Sequence, residues 1–117
     1  MHKQLLYLFL IVPLIAGTSG KIRGVITDSQ TGQPLIGCNV YLSSTNYGSS
    51  ADIDGNYIIF NIPPGLYDLN VSMIGYDMYI MKNVEVNADL TTTVNASLNE
   101  SSLEMESVVV NAAPKLI

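Results

Sequence analysis

Short apolar runs alternating with turn-forming residues dominate the chain after Gly20. The runs are rich in β-branched and aromatic residues, and clusters of Gly, Pro, Asn, Asp and Ser separate them at intervals of about 8–12 residues. No stretch in this part of the chain repeats its apolar residues at the helical spacing of about 3.6. The pattern predicts seven strands: 21–27, 37–42, 47–51, 56–62, 66–73, 78–86 and 91–98. This spacing favours an all-β sandwich or barrel.

Alternation within these strands predicts which side chains form the core. Successive side chains of a strand point to opposite faces, so every second residue belongs to one face. Three alternating apolar sets are expected to point inward: Cys38, Val40 and Leu42; Tyr67, Leu69 and Val71; Val94, Ala96 and Leu98. A sandwich of roughly 80 residues is small, but it buries enough surface for one core.

The first 20 residues follow a different pattern. A positively charged start precedes an unbroken apolar run of 11 residues from Leu5 to Ile15, and small residues follow to Gly20. This order matches a secretory signal peptide, and the run is shorter than the ~20 residues that a membrane-spanning helix needs. We predict a signal peptide over 1–20, cleaved between Gly17 and Gly20, and an exported protein. The alternative is a buried core helix, which Pro13 disfavours.

Charge and composition narrow the chemistry open to the chain. The 117 residues include ten acidic and five basic ones, for a net charge of −5, which argues against nucleic-acid binding. Without residues 1–20, four basic residues remain against ten acidic ones, a net charge of −6, and the single His is lost. That excludes Ser-His-Asp and Cys-His catalysis and His-ligated metals. We therefore predict no catalytic residue, no cofactor and no metal site.

Three other features invite a chemical interpretation. Cys38 is the only cysteine, so no internal disulfide forms, and its apolar neighbours predict an inert core residue. The stretch 52–55 (DIDG) predicts a tight turn; as a calcium loop it fails, because Tyr57 and Pro63 stand where an EF-hand needs Gly and Glu. Asp52 and Asp54 are also a candidate glycosidase-type acid pair. This alternative is disfavoured, because no cluster of a further acid, base or nucleophile surrounds them in the sequence. The tyrosines are assigned to strand packing rather than to a sugar-binding surface.

The tail after Leu98 changes character. A polar break is followed by mixed acidic and apolar residues, then by the β-prone run Val108–Val110 and the end of the sequence at Ile117. No partner strand for these valines is evident, so we expect an extended linker over 99–117 that opens a further domain. Such a segment can add as a strand to the sheet edge of another protein. The alternative is that the valines form an eighth strand of the sandwich.

Several motifs, in order along the chain, resemble the carboxypeptidase-type regulatory domain. They lie at 24–28 (GVITD), 31–35 (TGQPL), 52–57 (DIDGNY), 62–67 (IPPGLY) and 72–76 (SMIGY). The resemblance covers about residues 21–98. It implies a transthyretin-like sandwich of about seven strands, in agreement with the strand count.

A second resemblance concerns the tail. The stretch 106–112 (ESVVVNA) looks like the TonB box that opens the plug of TonB-dependent outer-membrane receptors, although Asn111 stands where Thr is common and no plug or barrel is present. In Bacteroidetes-like bacteria many such receptors carry this sandwich between signal peptide and box. The resemblance implies that six residues bind TonB by strand addition: Ser107, Val108, Val109, Val110, Asn111 and Ala112. Further partners are the receptor's own plug and barrel, and an outer-membrane lipoprotein or a signalling protein.

The order signal peptide, sandwich, box predicts the N-terminal extension of a nutrient-uptake receptor, on the periplasmic face of the outer membrane. In this interpretation the chain is a fragment, the sandwich is a non-catalytic spacer or docking module, and Val108–Val110 is mobile. The alternative is a free-standing secreted sandwich that binds protein or glycan, or that is attached to a peptidase. In that case Val108–Val110 is paired within the fold.

Overall fold

The computed structural model describes residues 18–101 and 107–112. The predicted signal peptide up to residue 17 lies outside the described residues, as do 102–106 and 113–117 of the predicted tail. The described residues form nine strands: β1 (Gly20–Asp28), β2 (Asn39–Leu42), β3 (Gly48–Ser50), β4 (Asn56–Ile62), β5 (Gly65–Ser72), β6 (Met78–Val86), β7 (Thr91–Thr93), β8 (Ala96–Leu98) and β9 (Ser107–Asn111). The all-β class is confirmed, although the sequence predicted seven strands. Within the described part of the chain, no helix is long and apolar enough to cross a membrane.

The strands form two sheets. In the first, β1 pairs with β4 in antiparallel orientation on one side and with β7 and β8, both parallel, on the other. The second has the order β3-β2-β5-β6-β9, in which β2, β3, β5 and β6 pair with their neighbours in antiparallel orientation and β9 runs parallel to β6. The core lies between the two sheets.

The predicted inward faces supply most of this core. Cys38, Val40 and Leu42 are buried, and so are Leu69 and Val71, and Val94, Ala96 and Leu98. Tyr67 is half-buried and packs against the same cluster. The strict alternation of β1 places Ile22 and Ile26 at the centre of the core. Alternation alone therefore identified the buried faces correctly.

The single strand predicted over 91–98 is divided into β7 and β8 at Val94 and Asn95. The Asn95 side-chain oxygen accepts a hydrogen bond from the Val25 amide at 2.9 Å, where a regular ladder would use a backbone carbonyl. The Val94 carbonyl oxygen instead lies over Gly24 and accepts a hydrogen bond from the Tyr57 hydroxyl at 2.7 Å. The ladder between β1 and the last strand is thus interrupted at two points. The Asn95 side chain takes the place of a backbone acceptor, and the Tyr57 hydroxyl takes the place of a backbone donor.

A carboxylate ties the two sheets together at the end where the tail leaves. Asp28, at the end of β1, accepts amide hydrogen bonds from Gln30 (2.7 Å) and Thr31 (3.0 Å) through one oxygen. Its other oxygen accepts the hydroxyl hydrogen bond of Tyr76 at 2.6 Å, from the turn before β6. The Tyr76 hydrogen bond is the main reason why the pKa of Asp28 is lowered, and the same bond raises the pKa of Tyr76 to about 12. The backbone of Tyr76 also forms an isolated antiparallel β-bridge with Glu100, after the end of β8.

Because of the Asp28–Tyr76 hydrogen bond, we expect the folding stability of the sandwich to fall at both acid and alkaline pH. Because folding lowers the pKa of Asp28, its contribution is complete above the unfolded value of about 3.9 and is lost as pH falls through the folded value. Because folding raises the pKa of Tyr76, its contribution is complete below about 10 and is lost as pH rises towards about 12. Urea midpoints measured across pH should show both declines.

Substitution of Tyr76 by Phe is the matched test of this coupling. The variant keeps the aromatic ring but removes the hydroxyl that bonds to Asp28. It should show a smaller acid decline, since the largest cause of the lowered Asp28 pKa is gone. Its alkaline decline should also be smaller but not absent, because burial raises the pKa of Cys38 and Tyr57 as well. Identical pH profiles for Tyr76→Phe and the wild type would contradict the assignment.

Candidate partner-binding strand

Residues 107–111, which the sequence assigned to partner binding, form the edge strand β9 of the five-stranded sheet. They pair in parallel with Met78–Lys82 of β6, in unbroken register from Met78 opposite Ser107 to Lys82 opposite Asn111. The prediction that the valines have no partner strand is therefore wrong. The alternative, an additional strand of the sandwich, describes the structure.

Backbone geometry shows which edge of β9 is in use. The Ala112 amide donates to the Lys82 carbonyl oxygen at 2.8 Å. Within a strand, the N–H and C=O groups of one residue point to one side, and those of the next residue point to the other. Counting back from Ala112, the backbone groups of Val108 and Val110 point to β6. Those of Val109 point away from the sheet.

Side-chain burial follows the same alternation. Val108 and Val110 are half-buried opposite Tyr79 and Met81, which pack against the core. Ala112 also packs against the core. The Val109 side chain, by contrast, is 55% exposed. The strand thus has an inner set of residues held by the sandwich and an outward residue, Val109, that presents both its backbone and its side chain.

The end of β9 is fixed by an amide pair. The Asn83 side-chain amide donates to the Asn111 side-chain oxygen at 3.1 Å. Asn83 itself has a left-handed backbone with φ 61°. Its backbone N–H donates a hydrogen bond to the Asp68 carboxylate at 3.2 Å. Asn111, where the TonB-box pattern commonly has Thr, therefore has a local role in docking the strand.

The other residues with candidate chemistry serve the fold. Cys38 is buried and its thiol donates to the Ser72 carbonyl oxygen at 3.3 Å; burial raises its thiol pKa to about 11, so a thiolate is scarce at neutral pH. One Asp52 oxygen accepts the amides of Asp54 and Asn56, both at 2.9 Å, which closes the predicted turn. Within residues 18–101 and 107–112, no three His, Cys, Asp or Glu residues come together as a metal site.

Most tyrosines also have packing or hydrogen-bonding roles, as the sequence predicted. Tyr57 is buried, and Tyr47, Tyr67 and Tyr79 pack against the core. The Tyr67 hydroxyl donates to the Pro63 carbonyl oxygen at 2.6 Å. Tyr41, by contrast, is 38% exposed.

Sequence reasoning missed the acceptor of β9, which is Met78–Lys82. A signal was present: residues 78–81 read MYIM and are apolar at every position, whereas a strand with one solvated face alternates. The outward members Met78 and Ile80 are half-buried rather than exposed, and Val109 lies beside Ile80. An apolar outer face at the edge of a sheet indicated a neighbouring strand.

Comparisons with known proteins agree with the fold and include a TonB-dependent receptor. The chain is 27% identical over 110 residues to TonB-dependent receptor P3 of Formosa agariphila; the match covers 92% of the chain but only 10% of the receptor. The chain therefore spans about a tenth of the length of that relative.

Solved structures support the sandwich architecture alone. The Bacillus anthracis TIE protein aligns with a TM-score of 0.59 at 19% identity over 71% of this chain and 17% of that one. A chain in a type II cohesin–X-dockerin complex of Acetivibrio cellulolyticus gives 0.58 at 17% identity over 66% and 52%. A minor pilin of Streptococcus agalactiae gives 0.53 at 18% identity over 74% and 47%. These identities are too low to carry more than the fold.

The family assignment rests on the match to a family model. The CarboxypepD_reg-like domain matches residues 22–110, from the third residue of β1 through Val110 of β9. The match covers more than half of the chain and takes in both sheets. This chain therefore belongs to the CarboxypepD_reg-like domain family.

Proposed function

We propose that this chain is the N-terminal periplasmic module of a TonB-dependent outer-membrane receptor for nutrient uptake. The sandwich is a non-catalytic spacer or docking domain, and Ser107–Ala112 is the TonB box that couples the receptor to TonB. The observation that carries the proposal is the similarity to a TonB-dependent receptor over 92% of the chain. It is supported by the box-like sequence of β9, which is an edge strand of the sandwich.

The geometry of β9 is compatible with strand addition. Strand addition requires an extended segment with unsatisfied backbone groups along one edge, and main-chain hydrogen bonds then supply the affinity. Val109 points its backbone groups away from β6, and its side chain is exposed. The segment also carries no charged side chain, so pairing does not desolvate an ion.

Substitution of Val109 by Pro tests the proposal. Proline lacks an N–H and so cannot donate from the outer edge, but it is tolerated on an edge strand when that position faces away from the sheet. We expect the exported chain carrying Val109→Pro to bind the periplasmic domain of TonB at least about tenfold more weakly than the wild type. A lost ladder hydrogen bond of about 1 kcal/mol, together with a poorer strand geometry, accounts for this factor.

Val109→Thr is the control at the same position. Threonine is β-branched and keeps the N–H, so its affinity for TonB should stay within about twofold of the wild type. Calorimetric titration of all three chains at one salt concentration provides the comparison. Wild-type chain that fails to bind TonB, or Val109→Pro that binds as tightly as Val109→Thr, overturns the proposal and favours the free-standing accessory domain.

A further inference from the structure

The open edges of the two sheets are not equivalent. Among the described residues, β3, β4, the β7 and β8 pair, and β9 each lack a neighbour on one side. β3, β7 and β8 have only three residues each. β4 is longer, but a register shift places an extra residue in it, and Asn61 there has φ 57°. Short strands and bulges are devices that prevent edge pairing.

β9 has none of these protections. It offers five residues in unbroken parallel register with β6, and its sequence contains no proline and no charged residue. A regular, uncharged edge of this kind is a template for another strand. Of the edges in the described part of the chain, β9 is therefore the one best suited to accept a second chain.

We infer that the sandwich presents β9 to its partner: the strand stays paired with β6, and the partner pairs with its outer edge at Val109. This inference rests on the proposed function and adds to it the bound state of the box. The inner edge is already occupied, because Val108 and Val110 point their backbone groups and side chains to the sandwich. The strand is extended before the partner arrives, so its conformational entropy is lost on folding rather than on binding. The five strands of the second sheet and the partner strand then form one continuous sheet of six strands.

Charge indicates the kind of strand that fits this edge. The chain has a net charge of −5, and Glu104 and Glu106 precede β9 in the sequence. A partner strand flanked by basic residues is therefore attracted, whereas a second copy of this acidic chain is repelled, most strongly at low salt. The partner is an extended segment of a different, more basic chain, not a second copy.

Amide hydrogen exchange on the wild-type chain distinguishes two bound states: presentation, in which β9 stays paired with β6, and release, in which β9 leaves β6 to bind the partner. In the free chain, the amides of Val108, Val110 and Ala112 should exchange at least about tenfold more slowly than the Val109 amide. On saturation with the periplasmic domain of TonB, Val109 should become protected as well, and the other three should keep their protection. Binding that leaves Val109 exchanging as before, or that exposes Val108 and Val110, overturns presentation.

A disulfide lock tests the same point by affinity. Met81 and Val110 are direct neighbours in the parallel register, and both face the sandwich rather than the open edge; adjacent strands lie about 4.8 Å apart, within the range that a disulfide spans. In a Met81→Cys/Val110→Cys chain, the oxidised form should bind TonB within about twofold of the reduced form. Cys38 does not interfere, because it is buried.

The outcomes separate this inference from the proposed function. A reduced form that binds and an oxidised form at least tenfold weaker show that β9 must leave β6, which overturns presentation but preserves the role of the box. Wild-type chain that does not bind TonB at all overturns the proposed function. Protection of Val109 that grows with chain concentration in the absence of TonB identifies a second copy as the partner and overturns the charge argument. The exchange measurement holds whether or not the disulfide forms.

Discussion

Substitution of Gly24 by Ala is expected to destabilise the sandwich by about 3 kcal/mol or more, because backbone fills the space that a side chain needs. A Cβ atom at this position would lie 1.8 Å from the Val94 carbonyl oxygen and 2.9 Å from the Tyr57 ring. The Val94 carbonyl oxygen also accepts the Tyr57 hydroxyl at 2.7 Å. Relief of the clash must therefore shift buried backbone and disturb a buried hydrogen bond, at about 1–3 kcal/mol for each.

The measurement is the free energy of unfolding in urea, with Gly32→Ala as the control. Gly32 has a left-handed φ of 76°, but a Cβ there meets no atom within 4 Å. Its substitution should cost only the strain of that backbone conformation, about 1–2 kcal/mol. If Gly24→Ala unfolds at the same urea concentration as Gly32→Ala, the close approach of Val94 to β1 is wrong.

Gly24 also illustrates where sequence reasoning ends. The run that became β1 was recognisable from its β-branched residues, and its buried face followed from alternation. Nothing near Gly24 in the chain shows that Val94, seventy positions away, places a carbonyl oxygen over it. The division of the predicted last strand has the same origin, since the Asn95 side chain replaces a backbone acceptor for Val25. Local pattern predicts strands and faces, whereas these interruptions depend on contacts between distant parts of the chain.

The candidate partner-binding strand was also predicted only in part from the sequence. Val108–Val110 was recognisable as a strand-forming segment because it is β-branched and uncharged, and its resemblance to a TonB box followed from the same residues. Its place as an additional strand of the sandwich was only an alternative, and its neighbour β6 was not predicted, because parallel neighbours need a crossover connection and no turn signal links them. Asn111 was noted as a departure from the TonB-box pattern, and its contact with Asn83 gives it a place in the fold. Sequence predicted the segment, but only the sheet register shows which edge of it is open.

Substitution of Leu69 by Ala is the second change with a large expected effect, a loss of about 3 kcal/mol. Leu69 is completely buried at the middle of the five-stranded sheet, between Leu42 of β2 and Met81 of β6. Leu→Ala at such a site removes the transfer free energy of the side chain and leaves a cavity, and the two together cost about 2–5 kcal/mol. A small domain has only about 5–15 kcal/mol of stability to lose.

Leu66→Ala is the matched control, because it makes the same chemical change on the same strand. Leu66 is 63% exposed, so its truncation should change the free energy of unfolding by no more than about 0.5 kcal/mol. The difference between the two variants in urea measures the burial of Leu69 alone. Leu69 also lies opposite Met81, and Met81 lies opposite Val110. We therefore expect Leu69→Ala, and not Leu66→Ala, to speed amide exchange at Val110. If both variants leave that exchange rate unchanged, β9 does not depend on the packing beneath β6.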